Sequence, residues 1–229
     1  MTTMNLRSLA ASVLTAAVCL ATSAGATIIG GVDFPQGAVS FADAVVSYAP
    51  VINGGSPSAP HRVPVNALGV PNYANDNDCT GNATCAFVSL GQGGVLTLQF
   101  VDNLLTGSGS NAFDLWIFEV GPAVEDTFVE VSADGTTWFA VGKVTGGTRG
   151  VDLDAFGHGA NSLFGYVRLT DDPNENIGGG ITSGADIDAV GAISTIRVSN
   201  VPEPGSLALM LPALGLLVGA MARTRRFRV

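Results

Sequence analysis

The segment Phe128-Val129-Glu130-Val131-Ser132-Ala133-Asp134-Gly135-Thr136-Thr137-Trp138-Phe139-Ala140-Val141 decides the fold. Two strand-forming runs flank its Asp-Gly pair. Glycine tolerates the positive φ that a tight turn requires, so Asp-Gly between two such runs is a strong β-hairpin signal. The sequence therefore predicts antiparallel β-structure in the middle of the chain.

Strand signals continue on both sides of this hairpin. Within Val95–Phe100 the residues Leu96, Leu98 and Phe100 alternate with polar ones, which predicts one buried face. The run from Leu115 to Phe118 is apolar on both faces, which predicts a central strand. The other candidate strands are Ala44–Tyr48, Tyr166–Thr170 and Ile187–Val190. Seven strands without an amphipathic helix predict an all-β fold, a single β-sandwich over residues 27–200.

The N-terminus has the three parts of a signal peptide. Arg7 supplies the positive charge, an apolar region runs from Leu9 to about Ala21, and Ala24-Gly25-Ala26 is a cleavage site. We expect residues 1–26 to form a signal helix that is removed by the export machinery, so that the mature chain begins at Thr27.

The C-terminus combines a proline motif, an apolar run and a basic end. Val201-Pro202-Glu203-Pro204 is held extended by its prolines, open to a processing enzyme. The apolar run from Leu207 to Ala222 is shorter than the roughly 20 residues of a relaxed spanning helix. Behind it lie Arg223, Arg225, Arg226 and Arg228, which should stay cytoplasmic. Residues 201–229 are predicted to anchor the chain in a membrane, permanently or for a time.

This order of features resembles the PEP-CTERM sorting signal of Gram-negative bacteria. The resemblance implies that an exosortase, a membrane-embedded cysteine protease, cuts at or near the proline motif. It also implies anchoring in the inner membrane during processing, then delivery to the cell surface or extracellular matrix of a bacterium that makes extracellular polysaccharide. An ordinary C-terminal anchor is the alternative.

Between the two terminal segments the chain is strongly acidic. Five of the ten Lys and Arg residues and one of the 19 Asp and Glu residues lie in those segments, which leaves 5 basic against 18 acidic residues, a net charge of about −13. Nucleic acid is not expected as a partner, because binding phosphates needs clustered Lys and Arg. The excess of carboxylates suits either cation binding or solubility outside the cell.

Two cysteines remain after signal cleavage, Cys79 and Cys85. In an oxidising compartment we expect them to form a disulfide that fixes a short loop. Without a nearby histidine they make a poor zinc site.

A second resemblance is carried by five segments that follow one another in order. They are similar to the galactose-binding-like, discoidin-type jelly rolls of bacterial surface proteins, and they are Asn66–Pro71, Phe87–Gly94, Val129–Trp138, Val167–Asp171 and Gly184–Val190. The resemblance implies a jelly-roll ectodomain, with carbohydrate binding and a structural calcium ion as common properties of the family.

Candidate site residues follow from the acidic patterning. Asp186 and Asp188 are two apart, so on a strand they share a face and suit calcium; alternatively, one caps a turn and the other is solvated or pairs with Arg168. Asp171, Asp172 and Asn174 form an oxygen-rich loop that could bind a ligand or calcium, or make Asx turns. Tyr73 is the best aromatic candidate for stacking on a sugar, since Trp116 and Trp138 lie in strands and are expected in the core. The loop Asp76–Gly81 begins like a calcium loop but lacks the closing glutamate.

No catalytic motif is present in the sequence. His61 and His158 lie outside any hydrolase pattern. Glu119 with Glu125 or Asp126 could form a glycosidase pair, but carboxylates are common in this chain. We expect a non-catalytic carbohydrate-binding or adhesive module, with an inert structural surface protein and a hydrolase using His158 as the alternatives.

Overall fold

A computed structural model describes residues 26–74, 85–121, 125–145, 149–175 and 180–198. In these ranges the chain forms thirteen strands: β1 Thr27–Ile29, β2 Val32–Phe34, β3 Ala44–Ala49, β4 Val88–Ser89, β5 Val95–Gln99, β6 Asn103–Leu105, β7 Leu115–Glu119, β8 Thr127–Ser132, β9 Phe139–Val144, β10 Arg149–Val151, β11 Tyr166–Asp171, β12 Asp186–Ala192 and β13 Thr195–Arg197. Short 3₁₀ helices span Gly37–Ser40, Ala59–His61, Pro64–Ala67 and Asp154–Phe156. The predicted signal helix, the Asp76–Gly81 loop with Cys79, and the C-terminal segment lie outside the described residues.

Two antiparallel sheets face each other. One has the strand order β3-β5-β11-β8-β9 and the other β10-β7-β12-β4. The pairs β4 with β12, β5 with β11, β7 with β10 and β8 with β9 are nested in sequence, as in one long hairpin rolled into two layers. This is the jelly-roll arrangement, and it confirms the prediction of an all-β sandwich. All seven strands expected from the sequence are present.

The core lies between the two sheets. Leu96 and Leu98 of β5 and Leu169 of β11 pack from one sheet against Ile117 and Val190 of the other, and all five are fully buried. Leu96, Leu98 and Phe100 share the buried face as predicted. The period-two alternation of these strands therefore sets which residues enter the core.

A second, smaller cluster covers the outer face of the four-stranded sheet. Phe118 of β7 and Ala189 of β12 point away from the main core and pack against Phe34 and Phe41. The rings of Phe34 and Phe41 lie 4.7 Å apart. Because Phe34 belongs to the β1–β2 hairpin, that hairpin covers the outer face of the four-stranded sheet. This cover explains why the run from Leu115 to Phe118 is apolar on both faces. The position of β7 between β10 and β12 confirms it as a central strand.

The β8–β9 hairpin forms where the sequence predicts it, with a longer connection than a two-residue turn. Val131 pairs with Phe139, and Gly135 adopts φ +73°. The carboxylate of Asp134 accepts hydrogen bonds from the backbone N–H groups of Thr136 (2.8 Å) and Thr137 (2.7 Å), which close the loop. These hydrogen bonds hold the pKa of Asp134 well below its usual range. The hairpin predicted around Asp134 and Gly135 is therefore confirmed.

Trp138 is not a core residue. It is partly exposed, and the Arg168 guanidinium lies 4.2 Å from its ring centre. Arg168 also pairs with Glu130 through Nε–Oε2 (2.6 Å) and Nη2–Oε1 (2.8 Å), so it does not pair with Asp186 or Asp188. The expectation that Trp138 packs in the core is corrected: the residue directly precedes β9 and packs against the Arg168 side chain.

Two other sequence expectations are only partly covered by the described residues. Cys85 is buried, but Cys79 lies outside those residues, so their disulfide stays a prediction. Within the described ranges, the helices are all too short and insufficiently apolar to cross a membrane.

Candidate functional site

Four buried carboxylates meet at one end of the sandwich. Glu119 ends β7, Glu125 precedes β8, Asp171 ends β11 and Asp186 begins β12. Each is at most 3% exposed. We call these four residues the carboxylate cluster. Antiparallel pairing brings the end of β7 beside the start of β12, and the end of β11 beside the start of β8.

Strand alternation explains why two of these groups point inward. Leu115, Ile117 and Glu119 are alternate residues of β7, and the first two are core residues. In β11 the same pattern holds for Leu169 and Asp171. Each carboxylate therefore continues the apolar face of its strand into the interior. This alternation marks Glu119 in the sequence as an inward-facing carboxylate, whereas Glu125 precedes β8 and has no such signal.

Hydrogen bonds satisfy only part of the carboxylate cluster. Asp171 accepts the backbone N–H of Ala185 on Oδ1 (2.6 Å) and that of Gly93 on Oδ2 (2.9 Å). The Ser89 hydroxyl donates to Oδ1 of Asp186. Among the residues that the structure describes, none donates a hydrogen bond to the buried Oε2 of Glu119 or to the buried Oε1 of Glu125.

Burial and like charge raise the pKa of every member. Burial, followed by the nearby charge of Glu125, raises the pKa of Glu119 to about 9. Burial, then Asp171 and Glu175, raises the pKa of Glu125 to about 7. The pKa of Asp186 lies well above its usual value and that of Asp171 is also raised, in both cases mainly through burial. The carboxylate cluster therefore needs protons or a cation to compensate its charge.

Asp186 and Asp188 do not act as a simple pair on one face. The register of β12 against β7 shifts between Ile187 and Ala189, so a bulge occurs at Asp188. Asp188 accepts the backbone N–H of Asn72 on Oδ1 (3.1 Å) and that of Tyr73 on Oδ2 (3.2 Å). Asp186 thus belongs to the carboxylate cluster, whereas Asp188 ties down the segment that carries Tyr73.

The loop predicted to bind a ligand is divided between the interior and the surface. Asp171 is fully buried with both oxygens occupied by N–H groups, so the expectation that it contacts a ligand directly is corrected. Asp172 accepts the backbone N–H of Asn174 (2.9 Å), which is the Asx turn that the sequence left open as an alternative. Asn174 is exposed.

The single lysine of the chain neutralises the surface beside this loop. Nζ of Lys143 lies 2.5 Å from Asp126, 2.7 Å from Asp172 and 3.6 Å from Glu175. Its hydrogen bonds to Asp126 and Asp172 raise the pKa of Lys143, and the bond to Lys143 lowers the pKa of Asp172. Asp172 is therefore engaged in an ion-pair network.

The aromatic candidates are partly buried. The rings of Tyr73 and Phe87 make an edge-to-face contact with their centres 5.7 Å apart. Trp116 packs on the second cluster and makes a similar contact with Phe113 at 5.5 Å. Tyr73 can therefore offer one part of its ring to a ligand, while Trp116 serves mainly in packing, as predicted.

The two histidines lie in different surroundings. His61 is buried, and its Nδ1 lies 2.8 Å from the hydroxyl of Ser58, three residues earlier in the same short turn. Burial lowers the pKa of His61. His158 lies between the rings of Phe139 (5.0 Å) and Phe164 (5.1 Å). The ring contacts of His158 are therefore side-chain packing, and the hydrogen bond of His61 belongs to a local turn.

Comparison with known proteins assigns the C-terminal segment. Residues 200–226 match the family model of the PEP-CTERM protein-sorting motif. The chain carries a PEP-CTERM signal. This signal is recognised by an exosortase, and it marks an exported protein that is anchored at the membrane before processing. The match agrees with the proline motif, apolar run and basic end expected from the sequence.

The rest of the chain has few matches. No curated protein matches it. Among solved structures, the C-terminal domain of a chitobiase from Bacteroides fragilis is similar at 13% identity and a TM-score of 0.40, over 71% of this chain and 97% of that one.

Proposed function

We propose that this PEP-CTERM protein is cut by an exosortase and then acts at the cell surface or in the extracellular matrix of a Gram-negative bacterium as a non-catalytic binding or adhesive module. The sorting signal supports the destination. The jelly roll supplies a rigid frame on which loops present ligand contacts. Extracellular polysaccharide is the proposed ligand class.

Calcium is the proposed structural cofactor, and the carboxylate cluster is its site. The observation that carries this is the pair of buried, unpartnered oxygens, Oε2 of Glu119 and Oε1 of Glu125, in the part of the chain that the structure describes. Ca²⁺ takes six to eight oxygen ligands, and the carboxylates of Asp and Glu are among them. Asp171 and Asp186 lie close enough that their charges help to raise the pKa of Glu125 and of Glu119, respectively, and a cation here would offset that charge.

A bound ion in this place would join both sheets. Glu119 and Asp186 belong to the four-stranded sheet, whereas Asp171 belongs to the five-stranded sheet and Glu125 leads into it. The ion would hold the loops at this end in fixed positions. The role as a glycosidase pair fits Glu119 and Glu125 less well, because a catalytic acid and base must reach a substrate and both residues are at most 3% exposed.

The proposed carbohydrate contacts are Tyr73 and Asn174. Asp188 fixes the backbone of Tyr73 through its N–H group, and Phe87 fixes the ring from one side. Asn174 is exposed and is oriented by Asp172. A ring held in place and an amide oriented by Asp172 can contact a sugar with little loss of side-chain entropy.

The test is binding of the full-length protein to a glycan array and to extracellular polysaccharide. Tyr73→Ala should lose binding, and Tyr73→Phe should keep it, because phenylalanine preserves the ring and its contact with Phe87. If the wild type binds no glycan but self-associates, the protein is a structural surface component. Turnover of a substrate that is abolished by His158→Ala would instead establish a hydrolase.

A further inference from the structure

Three aspartates converge at the opposite end of β7 from the carboxylate cluster. Asp114 directly precedes β7, Asp152 directly follows β10, and Asp154 begins the 3₁₀ helix Asp154–Phe156. One carboxylate oxygen from each lies within 4.8 Å of the others. Glu119 lies five residues after Asp114 along β7, about 17 Å at the usual rise, so the two groups of carboxylates are distinct places in the fold.

Backbone donors hold each of these carboxylates by one oxygen. Leu153 donates to Oδ2 of Asp114 (2.8 Å), and Ala155 donates to Oδ1 of Asp152 (3.3 Å). Oδ2 of Asp154 accepts the N–H groups of Ser108 (2.9 Å) and Gly109 (3.0 Å). These bonds orient the three side chains before any ligand arrives.

Asp114 has an oxygen that these bonds do not satisfy. The residue is fully buried, and no described residue donates a hydrogen bond to its Oδ1. None of the three aspartates forms an ion pair with a lysine, arginine or histidine of the described ranges. Burial raises the pKa of Asp114, although the hydroxyls of Ser194 and Ser108 and the N–H of Leu153 partly offset the rise. A buried, unpartnered oxygen therefore faces a group of uncompensated negative charge.

We propose that Asp114, Asp152 and Asp154 bind a second calcium ion. Ca²⁺ binds oxygen ligands at about 2.3–2.6 Å, so oxygens that lie within 4.8 Å of one another can share one ion. Asp152 and Asp154 are half-exposed, so the ion enters from solvent and water completes its coordination.

The ion has a structural consequence for the neighbouring cleft. Asp152, Ala155 and Phe156 line a cleft of about 180 Å³ between β9 and β10. Asp154 connects the same segment to Ser108 and Gly109. Calcium would thus fix this wall of the cleft to the start of β7. An open three-aspartate site of this kind should have the weak affinity of extracellular modules, a Kd of about 10⁻⁴–10⁻³ M.

Calcium titration calorimetry of the full-length protein tests the proposal. The titration uses the Glu119→Gln, Glu125→Gln double variant, in which the carboxylate cluster is disabled, so that its outcome is separate from that of the proposed function. We expect this protein still to bind one Ca²⁺. Adding Asp152→Asn to the double variant should lower its calcium affinity at least tenfold. Adding Asp154→Asn instead should lower that affinity by a similar factor.

Asp33→Asn is the matched control, because it removes one exposed carboxylate elsewhere. Circular dichroism and melting in chelator establish that each variant is folded; Asp152→Asn is the mildest, since asparagine keeps the oxygen that accepts from Ala155. Equal calcium affinity in Asp152→Asn, Asp154→Asn and Asp33→Asn would overturn the proposal, as would absence of binding in the double variant.

Discussion

Glu119 and Asp186 lie side by side at adjacent ends of β7 and β12, where the backbone N–H of Asp186 approaches Oε1 of Glu119 at 3.5 Å. Oε2 of Glu119 is buried, and the described residues offer it no donor. An ionised carboxylate in such a place is costly unless a proton or a cation neutralises it. Stability in this protein should therefore depend on pH when calcium is absent and depend on it less when calcium is bound.

The calcium-free protein should lose stability as pH rises from about 4.5 to about 9. In the folded state the pKa is about 9 for Glu119 and about 7 for Glu125, whereas an unfolded glutamate has a pKa of about 4.3. Between these values the folded state holds protons that the unfolded state has released. The free energy of unfolding then falls by about 1.4 kcal/mol per pH unit for each such proton.

Urea denaturation in chelator at several pH values measures this slope. The stabilising contribution should be complete below about pH 4 and lost above about pH 9. Glu119→Gln should flatten the upper part of the profile, since glutamine does not titrate. A wild-type profile that is flat from pH 5 to pH 9 would contradict the raised pKa values.

Gly91→Ala should destabilise the fold more than Gly69→Ala. Both glycines have φ +74°, so the backbone strain of an alanine is the same at the two positions, about 1 kcal/mol. A Cβ at Gly91 would lie 2.0 Å from the backbone oxygen of Val51, whereas a Cβ at Gly69 meets nothing within 4 Å. We expect Gly91→Ala to lower the free energy of unfolding by about 1–3 kcal/mol more. Equal losses in urea denaturation would show that the contact with Val51 is absent.

Leu98→Ala should be among the more costly core substitutions. Leu98 is fully buried between the two sheets, so its truncation removes packing and leaves a cavity, at a cost of about 2–5 kcal/mol. Val65→Ala is the control, because Val65 is 59% exposed and its truncation should change stability by less than about 0.5 kcal/mol. Thermal and urea unfolding of both variants check this, and similar values for the two would argue against the assigned core.

The strand pattern was largely predictable from the sequence, for a physical reason. Val95–Gln99 and Tyr166–Asp171 alternate with period two, and the Asp134-Gly135 pair marks a turn, so local chemistry specifies these elements. The β1–β2 hairpin was not predicted. Its strands have three residues each, too few for a periodic signal, and it is stabilised by the contact of Phe34 with Phe41 and Phe118.

The candidate site was only partly predictable. Alternation places Glu119 and Asp171 on inward faces, so both could have been recognised. Glu125 precedes its strand, where no period applies, and its burial depends on the folded chain around it. The bulge at Asp188 shifts the register of β12 against β7, and a register shift of this kind leaves no mark in the local sequence. The expectation that Asp186 and Asp188 share one face of a regular strand does not hold at that bulge, whereas calcium binding by either residue stays a prediction.

Pro202→Ala combined with Pro204→Ala should block processing of the C-terminal segment. Proline fixes φ and disfavours helix, so replacing both prolines should allow the motif conformations that a protease active site does not accept. We expect the double variant to accumulate as a longer precursor in the membrane fraction, detected by immunoblotting. Ser206→Ala, just beyond the motif, is the control and should be processed normally. Normal processing of the proline variant would argue against recognition of this motif.

The most direct test of the proposed calcium-stabilised sandwich is the melting temperature of the full-length protein with calcium and with chelator. The measurement uses the Asp152→Asn background, which isolates the carboxylate cluster. Calcium at about 100 times Kd should add about 2.7 kcal/mol of stability and raise the melting temperature, and Glu119→Gln with Glu125→Gln should abolish the rise. If calcium leaves the melting temperature of the Asp152→Asn protein unchanged, the carboxylate cluster is neutralised by protons alone and the central claim is wrong.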